Sequence, residues 1–446
     1  MADLWHTFVA LLTDNLANTA WIIVVGSLTN VACALLGCYL VLRRMSMLGD
    51  ALSHAVLPGL VIAFLIGGKF SIGPLLVGAL AAGLLSTFLI QALQHRGGVS
   101  ADASMGVVFT SFFALGVLLV SRNLSGVHFD TACVYEGELD QVVIDTVAVG
   151  AWEIPRQAIT LAPVLLLNLG VILLFWKELK ITTFDPALAT TMGISATAMH
   201  YLLMTLVSLT TVASFEAVGS ILVVAMLITP AATAHLLCDR LSRMMMVAAG
   251  LAVACAVIGY GLSKTFNTNT AGMMAVVAGG LYGLTVFLSP RHGILSTIGR
   301  NLRTSLRILR EDLLAMLFRL EEMAVDRSLG SGEAIHAVGG GLLARLGLFT
   351  LMRQGQIESQ TTGLRLTERG REKARHLVRS HRLWEAYLVE HLGLPQDHVH
   401  NPAERMEHFI GPRLQSDIAE KLIETDTDPH GRKIPDEGKG RMKDEG

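Results

Sequence analysis

The sequence predicts a polytopic all-α membrane protein of about nine transmembrane helices, followed by a charged, water-soluble region of helices with one short hairpin. Two observations carry this. Residues 1–290 hold 25 charged side chains and residues 291–446 hold 47, so a charge-poor part is joined to a charge-rich part barely half as long. The first part also contains apolar stretches of about twenty residues, the length a helix needs to cross a bilayer core. The composition of the 446-residue chain, 52% hydrophobic and 16% charged, excludes a single soluble domain, a disulfide scaffold and a disordered chain.

Nine segments have the required length: 20–42, 47–67, 71–93, 101–121, 157–176, 196–214, 217–237, 243–263 and 270–289. Only Ser214-Phe215-Glu216 separates the sixth from the seventh, which predicts a tight external turn there. Glu216 in that turn is either a solvated carboxylate or a gate residue. The 43 glycines suit close helix packing in lipid, where small residues let backbones approach. The five cysteines form no CxxC pair and read as packing residues. No basic residue precedes the first apolar run, so a cleaved signal peptide is not expected.

Basic residues orient the spans. One set of alternate loops carries Arg43, Arg44, Arg96, Lys177, Lys180, Arg240, Arg243 and Arg291. The other carries Lys69, Arg122, Arg156 and Lys264, along with a long acidic loop at 122–156 that includes Asp130, Glu136 and Glu138. The first set is therefore cytoplasmic, with the N-terminus outside and residues 291–446 inside. The protein is expected in the plasma (inner) membrane.

After Pro290 an Arg-rich amphipathic helix is predicted over 296–323, with Leu302, Leu306, Leu309, Leu313 and Leu317 at helical spacing. Its Arg300, Arg303, Arg307 and Arg310 suit contact with anionic membrane lipid. A Gly-rich section, a hairpin-like piece at 356–367, a helix over 368–391 and a further helix over 402–424 follow. Gly393-Leu394-Pro395 stops the longer helix.

Two constellations carry chemistry. Asp50 and His54 stand four apart on a predicted helix within a span, so they share one face. Ionisable groups in lipid mark pathways by default, and a carboxylate with an imidazole suits Mn²⁺, Fe²⁺ or Zn²⁺. A structural polar pair is the alternative. In the charged region, His381 and Glu385 are four apart on one helix, and Glu404, Glu407 and His408 fall at i, i+3 and i+4 on another. His400 lies close in sequence. These sets are either metal ligands or a solvated face paired with Arg382 and Arg405. The first part of the chain has no glycine-rich phosphate loop.

Arg43-Arg44-Met45-Ser46-Met47 followed by Gly49-Asp50-Ala51-Leu52-Ser53-His54-Ala55-Val56-Leu57-Pro58-Gly59 resembles the permease subunits of ABC-type manganese, zinc and iron importers. Phe184-Asp185-Pro186-Ala187-Leu188-Ala189 is similar to that family's cytoplasmic segment near the ATPase contact. Ala217-Val218-Gly219-Ser220, continuing to Thr229-Pro230-Ala231-Ala232, resembles its most recognisable span. The resemblance covers about 15–290. It implies a non-enzymatic permease with a separate ABC ATPase subunit, an extracytoplasmic metal-binding protein and a second permease copy or sister subunit. Asp50 and His54 would then lie on the metal pathway, and Phe184, Asp185 and Pro186 at the ATPase. The metal is substrate, Mn²⁺ first and Zn²⁺ or Fe²⁺ next. No organic cofactor is expected.

His381-Arg382-Leu383-Trp384-Glu385, Val399-His400 and Glu404-Arg405-Met406-Glu407-His408, with Asp428-Pro429-His430-Gly431, resemble the metal-binding and dimerisation domain of the diphtheria-toxin-repressor family. That resemblance implies a regulatory metal site at Glu404, Glu407 and His408 and an ancillary one at His381, Glu385 and His400. Glu311-Asp312 aligns with the acidic start of the family's first helix, which makes Asp312 a further ligand, whereas Ala315 stands where another ligand is often found. The implied domains are 15–290 (permease), 291–310 (basic linker helix), 311–375 (a degenerate winged-helix-like region), 376–436 (metal binding and dimerisation) and 437–446 (a polar tail). Gly339-Gly340-Gly341 is poor helix material, and only Arg345 and Arg353 are basic nearby, which argues against DNA binding. The two readings are thus a permease with a metal-sensing cytosolic domain, and a membrane-tethered metal-dependent regulator.

Overall fold

The computed structural model describes residues 16–45, 48–67, 72–123, 137, 139–149, 152–290, 293–323, 329–360, 363–423 and 426–436. Lys69, Asp130, Glu136, Glu138, Arg291 and the tail 437–446 lie outside these residues. The chain forms two compact units, Met1–Ser296 and Thr297–Gly446.

In the first unit the helices are α1 (Leu16–Leu42), α2 (Leu48–Ala55), α3 (Leu57–Gly67), α4 (Ile72–Gly97) and α5 (Ala101–Asn123). An antiparallel hairpin follows, β1 (Thr146–Val149) and β2 (Trp152–Pro155), with Val147 opposite Ile154. Then come α6 (Arg156–Leu174), α7 (Trp176–Phe184), α8 (Pro186–Thr191), α9 (Ala196–Leu237), α10 (Leu241–Phe266) and α11 (Thr270–Leu288). Among the described residues, eight helical stretches are long and apolar enough to cross a bilayer. Large apolar side chains such as Phe88, Leu118, Leu166, Leu174 and Phe287 stay exposed on the bundle, as a lipid-facing surface requires.

Two expectations need correction. The segment 47–67 is not one span but two short helices, α2 and α3, parting at Val56 just before Pro58, whose ring removes a backbone donor. The turn expected at Ser214-Phe215-Glu216 does not form either. Helix α9 runs through those residues and breaks at Gly219, which takes φ +71° and ψ 170°. Glycine alone adopts that conformation at little cost, so the bend settles there. The backbone of Val218 and Gly219 is met by Gly137, where a Cβ would lie 2.2 Å from the Val218 carbonyl carbon.

Helix α1 is the centre of the bundle and packs on α9, α10 and α6. Its contact with α9 is backbone on backbone, since a Cβ added at Gly37 would lie 1.8 Å from the Leu227 carbonyl oxygen. Gly37→Ala is therefore expected to cost about 1–3 kcal/mol or more through overpacking. Gly250 has nothing within 4 Å of an added Cβ, so Gly250→Ala is the neutral control. Melting curves of the purified protein in detergent check this, and equal midpoints for the two variants would refute it.

The second unit begins in α12 (Ile294–Glu322) and continues through α13 (Ser331–Ala337), α14 (Gly341–Arg353), the hairpin β3 (Ile357–Gln360) and β4 (Gly363–Leu366), α15 (Glu368–Leu392), α16 (His400–Met406) and α17 (Pro412–Lys421). The hairpin pairs Ile357 with Leu366. One core gathers Leu313, Leu317, Leu348, Leu351, Ile357, Leu364 and Val378, and a second gathers Leu383, Ile410, Ile418, Leu422 and Ile434. The Gly339–Gly341 stretch does not prevent a helix. All three glycines take positive φ and make the turn from which α14 starts. The helix expected over 402–424 is instead α16, a 3-10 turn at Glu407–Phe409 and α17, because Gly411-Pro412 interrupts it. Helix α15 forms as predicted. Thr367 caps its start by accepting from the Gly370 N–H at 3.2 Å, and Gly393 ends it at φ +61°.

Candidate metal centres

Helix α15 places His381 and Glu385 one turn apart on its buried side, and His400 comes from the first residue of α16. His381 Nε2 lies 3.0 Å from Glu385 Oε1 and 3.1 Å from His400 Nδ1, and His400 Nδ1 lies 2.9 Å from the same Glu385 oxygen. His430 approaches that oxygen at 3.9 Å. The other ring nitrogen of His381 donates to Glu407 Oε2 at 2.6 Å.

Glu407 and His408 sit on the 3-10 turn and are buried. Helix α12 brings Asp312 to them, with His408 Nε2 3.3 Å from Asp312 Oδ1. The opposite nitrogen, Nδ1, donates to Glu311 Oε2 at 2.8 Å. Arg307 holds Glu311 at 2.9 Å and donates to the His408 carbonyl at 3.1 Å, and Arg319 stands 3.5 Å from Glu407.

Two sets of possible ligands thus stand ready: His381, Glu385 and His400; and Asp312, Glu407 and His408, with the donor atoms of each set within 4.8 Å of one another. Nitrogen and carboxylate donors without thiolate fit Mn²⁺, Fe²⁺ or Zn²⁺. Glu404, expected beside Glu407 and His408, is placed apart from them. The α-helix ends at Met406, and Glu404 stays exposed outside both sets. Glu311 is the residue sequence reasoning left out of the ligand list. Its place beside Asp312 at the start of α12 was visible, but not its contact with a ring 97 residues on.

The carboxylates around both rings favour a positive charge there, which a proton and a metal ion compete to supply. Burial pulls the His408 imidazole down, but the Asp312 and Glu311 carboxylates outweigh it and hold it at about 9. Burial likewise pulls the His381 imidazole down, but the Glu385 and Glu407 carboxylates outweigh it and hold it above its ordinary value. Burial raises Glu385, yet the His381 and His400 rings bring it down to about 2. A raised histidine stabilises the fold fully below its unfolded value of 6.5, and that stabilisation is lost as pH rises through about 9. A lowered carboxylate stabilises above 4.5 and loses this as pH falls towards about 2. The metal-free C-terminal unit is thus expected to be most stable between pH 4.5 and 6.5. Hydrogen exchange in α15, corrected for intrinsic rates, checks this. Protection that rises steadily from about pH 6.5 to 9 would contradict it.

In the first unit, α2 carries Asp50 and His54. The side chains of Asp50 and Glu216 lie outside what the structure describes. The His54 ring stands 5.7 Å from Phe109 and 5.4 Å from Phe113 of α5. Phe184 ends α7. Asp185 accepts from the Leu188 N–H at 2.9 Å, and Pro186 opens α8. Phe184, Leu188 and Met192 are exposed around this short helix. Arg43, just past α1, donates to Thr183 Oγ1 and Thr182 Oγ1, both at 3.1 Å, which ties that helix end to α7.

Bundle and ligand sets together define a multi-pass membrane protein joined to a unit equipped to hold divalent metal. More specifically, the chain belongs to the ABC 3 transport family, which it matches over residues 15–289. Residues 367–436 match the iron dependent repressor, metal binding and dimerisation domain. The manganese transport system membrane protein MntD of Bacillus subtilis is 46% identical over 64% of this chain and 96% of its own. The zinc transport system membrane protein TroD of Treponema pallidum is 38% identical over 79% of this chain and 96% of its own. Among solved structures, PsaBC from Streptococcus pneumoniae in complex with Fab is similar at TM-score 0.54 and 30% identity, covering 64% of this chain and 96% of that one.

Proposed function

We propose that this chain is the membrane-spanning subunit of an ATP-driven importer for a divalent transition metal, Mn²⁺ foremost, with Zn²⁺ and Fe²⁺ as the alternatives. The observation that carries this is the match of the whole spanning region to the ABC 3 family, whose relatives include proteins named for manganese and zinc transport. In this reading Asp50 and His54 are transient ligands on the pathway, and Glu216 acts near the break at Gly219. A separate ABC ATPase subunit docks on Phe184, Asp185 and Pro186, where the exposed apolar side chains of α8 offer a contact. An extracytoplasmic metal-binding protein delivers the ion, and two permease subunits pair. The N-terminus faces outside and residues 291–446 face the cytoplasm, following the loop charges.

The C-terminal unit then reads internal metal through its two ligand sets and reduces flux when filled. Transport by the full chain is expected to fall as metal is loaded inside the vesicle-reconstituted assembly's cytoplasmic side. A chain truncated after Ser289 should lose that inhibition. Inhibition that survives the truncation would remove the sensing role.

A second reading, a membrane-tethered metal-dependent regulator, is favoured by the order α13, turn, α14 and hairpin, which suits a winged helix. Against it, α14 exposes Leu342, Leu346, Phe349 and Met352, with Arg345 and Arg353 as its basic groups. A helix that reads DNA needs polar side chains for bases and phosphates. A gel shift with metal-loaded protein separates the two. Tight, salt-sensitive, sequence-dependent binding would favour the regulator.

A further inference from the structure

A cavity of about 450 Å³ opens in the first unit where α1, α4 and α7 end and α9 begins. Its wall joins Arg43 and Arg44, just past α1, to Gln91 of α4, Thr182 and Thr183 of α7 and Thr197 of α9. Among the described residues, no Asp or Glu lines it. Arg43 is partly buried and fixed in place, its Nε and Nη2 donating to the Thr183 and Thr182 hydroxyls, both at 3.1 Å. Those partners are neutral, and Nη1 keeps its donors for another acceptor. Arg44 is exposed, and among the described residues neither arginine stands within ion-pair distance of a carboxylate. Arg44 also occupies a place that usually goes to glycine. Helix α1 closes with the Met45 N–H bonded to the Leu40 carbonyl at 2.9 Å and the Arg44 N–H to the Val41 carbonyl at 3.0 Å. The residue that turns left-handed in such a closure is most often glycine, and here it is Arg44 at φ +58°. An arginine is thus kept at that corner against the local backbone preference.

Leu42, Met45 and Ala196 complete the wall with apolar surface. Two uncompensated guanidinium groups in one cleft concentrate anions, and the apolar part fits the remainder of an amphiphile. Basic pockets between spans on the cytoplasmic side are where anionic headgroups bind, and the loop charges assign these helix ends to that side. We propose that this cleft binds the phosphate of an anionic phospholipid of the inner leaflet. Arg43 Nη1 and the Arg44 guanidinium donate to the phosphate oxygens, Gln91 and Thr197 offer hydrogen bonds to the headgroup, and Leu42 and Met45 take its acyl end. Pro186 lines the same cleft, so a bound lipid braces the segment proposed as the ATPase contact. The site needs only spanning helices and is independent of which metal is carried. The choice of leaflet alone rests on the orientation proposed above.

The test is native mass spectrometry of the full chain in mild detergent, titrated with phosphatidylglycerol, phosphatidylcholine or inorganic phosphate. Phosphatidylglycerol is expected to form a saturable adduct about fivefold or more tighter than phosphatidylcholine, since each arginine near the anion contributes about that factor. Arg44→Gln should lose about fivefold of that affinity, and Arg43→Gln/Arg44→Gln more. Arg44 is exposed, so its single variant keeps the fold and decides the matter if the double variant unfolds. The control is Arg240→Gln/Arg243→Gln, in a second cavity of about 440 Å³ whose wall includes the Asp239 carboxylate. Its adduct should match that of the wild type. Equal affinity for the two lipids, or an equal loss in the control, would overturn the proposal, because any basic surface would then serve. Displacement of phosphatidylglycerol by an equal concentration of inorganic phosphate would overturn the lipid as occupant in favour of a free anion. Loss of the adduct on adding the ATPase subunit would overturn it in favour of that partner.

Discussion

Glu407→Gln is expected to weaken Mn²⁺ binding by the C-terminal unit about 100-fold, the upper end of what loss of even an outer partner costs a metal site. Glu407 joins the two ligand sets. It belongs with Asp312 and His408, and its Oε2 accepts from His381 of the other set at 2.6 Å. Glutamine keeps the shape and an acceptor oxygen for His381 and Arg319, so the fold is retained while the negative charge is removed. Alanine is a poorer probe, because it leaves the buried His381 ring and the part-exposed Arg319 without their acceptor, which is itself destabilising. Glu404→Gln is the control. That side chain is exposed and outside both sets, so the effect should stay under about threefold, as for an ordinary surface charge. Calorimetry on the full chain, with the chain truncated after Ser289 as baseline, reads both variants. A larger loss for Glu404→Gln than for Glu407→Gln would reverse the assignment.

The contrast between these two glutamates shows which features the sequence makes legible. The spans are readable because a bilayer demands long apolar runs, and eight of them stand where the runs lie. Helix α15 is readable because Thr367 and Gly393 punctuate it and its apolar side has helical spacing. Local pattern fails where tertiary context decides. Glu404 and Glu407 lie three apart where α16 passes into the 3-10 turn, yet burial separates them, Glu407 being buried and Glu404 exposed. Asp312 and Glu311 reach His408 across most of the C-terminal unit, which no spacing rule can supply. The bend in α9 follows the same lesson. Polar Ser214 and Glu216 drew the turn to themselves, but conformational freedom placed it at Gly219.

The second large effect concerns the pathway. Asp50 and His54 stand one turn apart on α2, and Pro58 follows where α2 gives way to α3. In the proposed reading a carboxylate and an imidazole on one helix, shielded from water, carry a steep solvation cost, which a transported cation would offset. The Phe109 and Phe113 rings beside His54 limit the groups that can replace such a ligand locally. Removing both proposed ligands should therefore slow transport without touching the ATPase contact proposed at Phe184, Asp185 and Pro186. The decisive measurement is Mn²⁺ uptake by vesicles carrying the complete assembly, wild type against Asp50→Ala/His54→Ala, with ATP hydrolysis followed in parallel. Uptake is predicted to fall about 10- to 100-fold, in keeping with the loss of metal-site partners, while hydrolysis persists. Uptake equal to wild type would contradict the account.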